Sequence, residues 1–125
     1  MTTDKIFMLM GCALSGSGVA LGAFGAHGLR KLLSSEMLSV YQTGVLYQLI
    51  HGIALLVVGL IWRQFGGSLV SSAGWFLFTG TLLFSGSLYI LSMTSVRYVG
   101  LLTPLGGVAF IIGWALLFAG ILRST

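Results

Sequence analysis

Charge is what this sequence lacks most. Of 125 residues only eight are charged: Lys5, Arg30, Lys31, Arg63, Arg97 and Arg123, with Asp4 and Glu36 as the only acids. A soluble domain carries about a quarter of its residues as charged side chains, so 6% leaves a water-exposed surface uncovered. Disorder needs low hydrophobicity and high net charge, and a chain that is 57% hydrophobic is excluded from that class too. Cys12 is the only cysteine, which rules out an internal disulfide. One Cys and two His 24 positions apart lack zinc-ligand spacing. Both acids lie outside the apolar stretches, so no Ser-His-Asp set is expected. Nothing in the chain reads as a phosphate-cradling loop or a nucleic-acid surface. The expectation is a membrane protein that is not an enzyme, with no metal, no cofactor and no nucleic-acid partner.

What is present is long apolar runs. The eight charges leave four charge-free windows, 6–29, 37–62, 64–96 and 98–122. A helix needs roughly 20 mostly apolar residues to cross a bilayer, and two crossings with a turn need roughly 40. Each window therefore holds one span, predicted at 6–26, 44–62, 73–93 and 100–122. Backbone groups in lipid must pair within their own segment, and no window alternates with period two, so the spans are helices rather than barrel strands. The fold class is all-α integral membrane, a four-transmembrane-helix bundle forming a single membrane domain over 1–125.

End markers agree with these spans. Tyr41, Trp62, Trp75 and Tyr98 fall near the expected interfaces, as aromatic anchors do. Ser34 or Ser35 is placed to N-cap a helix running from about Glu36. Thr103 and Pro104 read either as an N-cap with Pro at the first helical position or as a kink in a helix from about Val96, and the kink is the favoured expectation. Leu9-Met10-Gly11-Cys12 resembles a lipoprotein box, but the apolar stretch before it is too short for a signal, and no cleavage is expected. With four spans, Lys5, Arg63 and Arg123 share one side and Arg30, Lys31 and Arg97 the other. Three against three gives no orientation. The net +4 suits contact with anionic headgroups at both faces.

Small residues dominate the first span, 12 of its 21. Gly18, Gly22 and Ala26 form a small-xxx-small stripe, of the type that brings membrane helices into backbone contact. Gly106, Ala109, Gly113 and Gly120 mark a comparable stripe in the fourth span, and Ala73, Gly80 and Ser87 fall seven apart in the third. The first helix is accordingly expected to be the central one. Gly52-x-Ala54-Leu55-Leu56-x-x-Gly59 matches Gly113-x-Ala115-Leu116-Leu117-x-x-Gly120 at an offset of 61 residues. Ser15-Gly16-Ser17 matches Ser85-Gly86-Ser87 at an offset of 70. This pattern suggests a duplicated two-helix hairpin.

In so apolar a chain the buried polar side chains carry the information. Gln48 and His51 lie three apart on the second span, with Tyr41 and Tyr47 near that face. His51 falls near the midplane, about 15 Å in from Tyr41. Its ring nitrogens need partners, with Gln48 or a Ser or Thr of the third span as candidates. Two readings stand side by side: a hydrogen-bond clip that fixes helix register, or a ligand-handling or proton-handling relay. His27 closes the first span between glycines, either as a cap on terminal carbonyls or as part of a headgroup site with Arg30 and Arg97. The two histidines differ in depth by about half a bilayer, too far to share one haem.

Four segments carry a family resemblance: Gly22-Ala23-Phe24-Gly25-Ala26-His27-Gly28-Leu29, Tyr47-Gln48-x-x-His51-Gly52-x-Ala54-Leu55-Leu56, Phe84-Ser85-Gly86-Ser87-Leu88-Tyr89 and Thr103-Pro104-Leu105-Gly106-Gly107. In this order they resemble the YgdD-like family of small membrane proteins, domain-of-unknown-function family 423, which includes transmembrane-protein-256-like members. The resemblance covers nearly the whole chain. It implies a four-span protein of the bacterial inner membrane, or of the mitochondrial inner membrane in a eukaryote, with no established activity. Gly44 and Gly52 stand where the family more often has alanine, a mild departure that affects how closely the second helix packs. The leading functional expectation is a non-enzymatic accessory, assembly or lipid-interacting subunit, oligomeric or part of a larger membrane complex. Two alternatives are a small transporter or channel using His51 and Gln48, and a quinone- or haem-binding redox protein.

Overall fold

The computed structural model describes residues 1–124. Four helices follow one another: α1 (Thr3–His27), α2 (Ser35–Phe65), α3 (Ser68–Thr94) and α4 (Leu102–Arg123). Short 3-10 turns at Leu29–Lys31 and Arg97–Leu101 join the two pairs. No strand occurs among the described residues. The apolar windows dictate this: without water, a spanning segment satisfies its backbone groups by its own i to i−4 ladder. All four helices are long and apolar enough to cross a bilayer.

Local chemistry sets the helix ends. The Ser34 hydroxyl caps α2 by accepting from the Met37 N–H at 3.1 Å. Between α2 and α3 the chain reverses on Gly66 and Gly67, at φ +66° and +96°, a region that residues with a Cβ avoid. Ser95 ends α3 in the left-handed region, at φ 59°, and its N–H bonds the Leu91 carbonyl. The start of α4 differs from both sequence expectations. Thr103 is not its N-cap, and no kinked helix runs back to Val96. A 3-10 run over Arg97–Leu101 leads into α4 at Leu102, with Pro104 in the first turn. An α-helix continued back to Val96 would set the Gly100 carbonyl against the Pro104 ring. Within the first turn Pro costs no hydrogen bond, because the first four N–H groups have no helical partner.

The helices pack in chain order, α1 on α2, α2 on α3 and α3 on α4, and α1 and α4 make no close approach. The central helices are therefore α2 and α3. This corrects the expectation that the small-residue first helix sits at the centre. The buried positions of α1 are Asp4, Phe7, Gly11, Gly18 and Gly25, a single seam with a seven-residue repeat. Seven residues bring a helix back to within about 20° of the same direction, whereas four overshoot by about 40°. The Gly18-Gly22-Ala26 stripe therefore rotates off the seam. Gly22 remains at its edge, facing Val45, and Ala26 is exposed. Gly16, Ala20 and Ala23 face away from α2 altogether.

The seams place backbone nearly against backbone. A methyl group on Gly11 would sit 2.6 Å from the Gly52 carbonyl oxygen and 2.8 Å from the Leu56 nitrogen. Gly18 lies against Leu49, Gly25 against the Tyr41 ring and Gly59 against Met8. Between α3 and α4, Gly80 meets Phe110, Gly106 the backbone of Phe84, Gly113 Leu77, and Gly120 Val70. Lipid is as apolar as leucine, so this close contact and its dispersion energy hold the pairs together. The hairpins share glycine spacing but not register. Gly52 meets Leu14 and Ser15, whereas its counterpart Gly113 meets Leu77, eight residues before Ser85. Ser85 turns instead to α2, donating to the Gly44 carbonyl at 2.6 Å.

The largest core cluster lies towards the α2–α3 turn, with Phe7, Leu55, Val58, Val70, Ala73 and Leu77 joined by Phe110 and Leu117. At that end Arg63 donates to Asp4 at 2.9 Å, clamping the start of α1 to the end of α2. Gly11→Ala should lower stability by about 1–3 kcal/mol, because the obstructing atoms are backbone. Gly16→Ala should be neutral or stabilise by up to about 1 kcal/mol, since its Cβ meets nothing within 4 Å. Unfolding midpoints in mild detergent compare the two, and equal loss in both would contradict the seam.

Candidate functional site

The polar residues sit on α2, and its place between α1 and α3 decides what they meet. Gln48 is buried. Its Nε2 donates to the Leu14 carbonyl and to Ser17 Oγ of α1, both at 2.9 Å. Its Oε1 accepts from the Tyr89 hydroxyl of α3 at 2.6 Å. Both amide donors and the acceptor are thus used, and one side chain ties three helices. Tyr41 extends the tie by donating to the Leu21 carbonyl of α1 at 2.5 Å. Ser87 and Thr103 share a hydrogen bond between α3 and α4 at 2.5 Å.

His51, also buried, points elsewhere. Three positions on a helix differ by 300°, which leaves 60° between Gln48 and His51. That angle sends Gln48 towards α1 and α3 and His51 towards α4. No hydrogen bond joins the two residues, and no Ser or Thr of α3 reaches the imidazole. Its partners are the Tyr47 carbonyl, 2.8 Å from Nδ1, and Trp114 Nε1, 3.1 Å from Nε2. The indole N–H only donates, so Nε2 must accept, and the proton of the neutral ring stands on Nδ1, facing the carbonyl. Both nitrogens are satisfied. The ring stacks on Phe110, with centroids 3.7 Å apart and planes at 10°. Tyr47, His51, Phe84, Gly107, Phe110 and Trp114 line a cleft of about 310 Å³ between α2 and α4. Ile111, exposed on α4, also lines it.

His27, Arg30 and Arg97 are all exposed. His27 Nδ1 lies 2.9 Å from the Ala23 carbonyl, within the last turn of α1, which is the capping geometry. No hydrogen bond or ion pair joins the three among the described residues. Arg97 lines a different cleft, together with Glu36. Of the residues expected to pack helices, Gly18, Gly22, Gly106 and Gly113 meet a neighbouring helix and Ala26 does not.

Sequence reasoning missed three members of the network: Ser17, Tyr89 and Trp114. The signal for Trp114 was its place near the middle of α4, where an indole N–H has no water to bond and must find a partner. Among the described residues one buried side-chain oxygen, Ser15 Oγ, has no partner.

Two substitutions test this reading. Gln48→Leu cuts three interhelical bonds and should cost about 1–2 kcal/mol. Trp114→Phe should cost about 1 kcal/mol and leave Nε2 without its donor. In 15N NMR of histidine-labelled protein, the unprotonated nitrogen of His51 should be Nε2, and its resonance should move in Trp114→Phe but not in Gln48→Leu.

Residues 21–107 match the family described as "Protein of unknown function (DUF423)". The UPF0382 membrane protein YwdK of Bacillus subtilis is 46% identical over 114 residues, covering 90% of this chain and 93% of that protein. A UPF0382 membrane protein of Staphylococcus saprophyticus is 46% identical over 116 residues, covering 93% of this chain and 96% of the relative. No solved structure matches. The matched region runs from the last turns of α1 into the first turns of α4 and contains Gln48, His51, Tyr89 and the α2–α3 turn. With four apolar helices and relatives named as membrane proteins along almost their whole length, the chain is a multi-pass membrane protein of the DUF423 family.

Proposed function

We propose that this chain is a non-enzymatic accessory or assembly subunit of the bacterial plasma membrane. The observation that carries the reading is the use made of Gln48 and His51. Every polar atom of these two side chains already has a partner within the protein, and all but His51 Nδ1, which bonds within α2, join α2 to a neighbouring helix. Transport through either residue would first have to break those bonds. Bacterial relatives named only as membrane proteins are consistent with this location. The outward side of α1 supports association. It presents Cys12, Ala13, Gly16, Ala20 and Ala23, a surface that another helix can approach closely.

Purification in mild detergent should bring down a second membrane protein or a further copy of this chain. Gly16→Leu with Ala20→Leu should reduce that co-purification at least about tenfold without shifting the unfolding midpoint, because both positions face away from α2. A chain that purifies alone and monomeric would overturn the proposal. So would a solute flux in proteoliposomes that His51→Ala abolishes while the variant remains folded.

A further inference from the structure

At the end of the bundle that holds the α1–α2 and α3–α4 connections, Glu36, Met37, Leu91, Ser95 and Arg97 line a cleft of about 370 Å³. Its volume lies within the range of small-ligand sites, about 300–1,000 Å³. Glu36 belongs to the first turn of α2 and Arg97 opens the 3-10 run after α3. Chain order brings them to one end of the adjacent helices α2 and α3. Both are exposed, and no ion pair joins them.

Three features of the cleft belong together. Glu36 is one of only two acids in the chain, and the other, Asp4, is paired with Arg63 at the opposite end. The carboxylate therefore stands free among the basic residues of its own end, Arg30, Lys31 and Arg97. Second, a free cation and a free anion face one cleft, a dipolar arrangement suited to a dipolar ligand. The Ser95 hydroxyl adds a donor that makes no hydrogen bond among the described residues. Third, the cleft has an apolar side, Met37 and Leu91, both partly buried, and Leu91 lies in the last turn of α3, a helix long and apolar enough to cross a bilayer.

We propose that this cleft binds the headgroup of an amine-bearing zwitterionic phospholipid, of the phosphatidylethanolamine class. Arg97 donates to the phosphate oxygens in fork geometry, and Ser95 adds a further donor. Glu36 accepts hydrogen bonds from the primary ammonium. The glycerol and the first methylenes of the chains lie along Met37 and Leu91. The occupant is a lipid rather than a free phosphate because the cleft lies at the ends of two helices long and apolar enough to span a bilayer and pairs its charged groups with the apolar side chains of Met37 and Leu91. A primary ammonium fits better than a choline, since a trimethylated nitrogen has no N–H to give the carboxylate. The site is separate from the outward face of α1 and does not depend on a protein partner.

The test uses the purified full-length protein, exchanged into detergent with equal amounts of phosphatidylethanolamine, phosphatidylcholine and phosphatidylglycerol, and native mass spectrometry of the retained lipid. The wild type should retain phosphatidylethanolamine about fivefold over phosphatidylcholine, the scale of a partly exposed charge-assisted contact. Glu36→Gln should remove that preference and leave phosphatidylglycerol unchanged or increased. Arg97→Gln should lower retention of phosphatidylethanolamine and phosphatidylglycerol alike. Lys31→Gln, a cation at the same end outside the cleft, should change neither. An unchanged phosphatidylethanolamine preference in Glu36→Gln would overturn the proposal, because the carboxylate would then play no part in reading the ammonium. A loss in Lys31→Gln equal to that in Arg97→Gln would also overturn it, since general charge attraction would explain the binding. All three positions are exposed, so retained unfolding midpoints separate loss of the lipid from loss of the fold.

Discussion

A bilayer interior supplies no water, so each polar group inside it must find its partner in the protein. The structure depends on this constraint at two scales. Along the backbone it forces the apolar windows into helices and confines irregular chain to the ends, where Gly66, Gly67, Ser95 and the two 3-10 turns lie. Among side chains it makes each buried donor a claim on a specific neighbour. Gln48 reaches Leu14, Ser17 and Tyr89, and His51 reaches Tyr47 and Trp114. All but the His51–Tyr47 bond, which lies within α2, are directional links between helices, so they fix the rotation of α2 against α1, α3 and α4 at once. Apolar contact alone leaves such rotation loosely specified.

Glycine supplies the other half of the fixation. Because lipid solvates apolar side chains as well as protein does, helices gain by approaching until backbone atoms touch. The glycines that allow this fall every seventh residue, at 11, 18 and 25 on α1 and at 106, 113 and 120 on α4. Each hairpin therefore closes along one narrow seam, and the two hairpins join through α2 and α3. That order leaves one side of α1 free and opens a cleft where α4 passes α2. The polar network and the seams are interdependent: Ser17 reaches Gln48 only because Gly18, beside it, lets α1 lie against α2.

Much of this was legible in the residues. Eight charges defined four windows, each window lies largely within one helix, and Ser34 announced the start of α2. The importance of Gln48 and His51 was also legible, since polar atoms in lipid are costly wherever they occur. Their partners were not. The sixty degrees between the two side chains sent them to different helices, and Trp114 is 63 residues from His51 in the chain. The small-residue stripe misled for a geometric reason. Spacing four and spacing seven both read as helical repeats, but only seven stays on a nearly straight seam, so Ala26 left the interface and α1 stayed at the edge. The repeat between the halves was real in glycine spacing and failed in register, because Leu77 rather than Ser85 came to face Gly113.

The sequence by itself determined that the chain lives in a membrane, how many times it can cross, and which of its side chains cannot remain unpaired. These follow from composition and length, properties that each segment carries alone. Only the tertiary structure decided which helices are neighbours, which nitrogen of His51 holds the proton, and that Glu36 and Arg97 share a cleft. Those outcomes rest on the rotation of one helix against another, and a few tens of degrees, invisible in any single segment, change every partner.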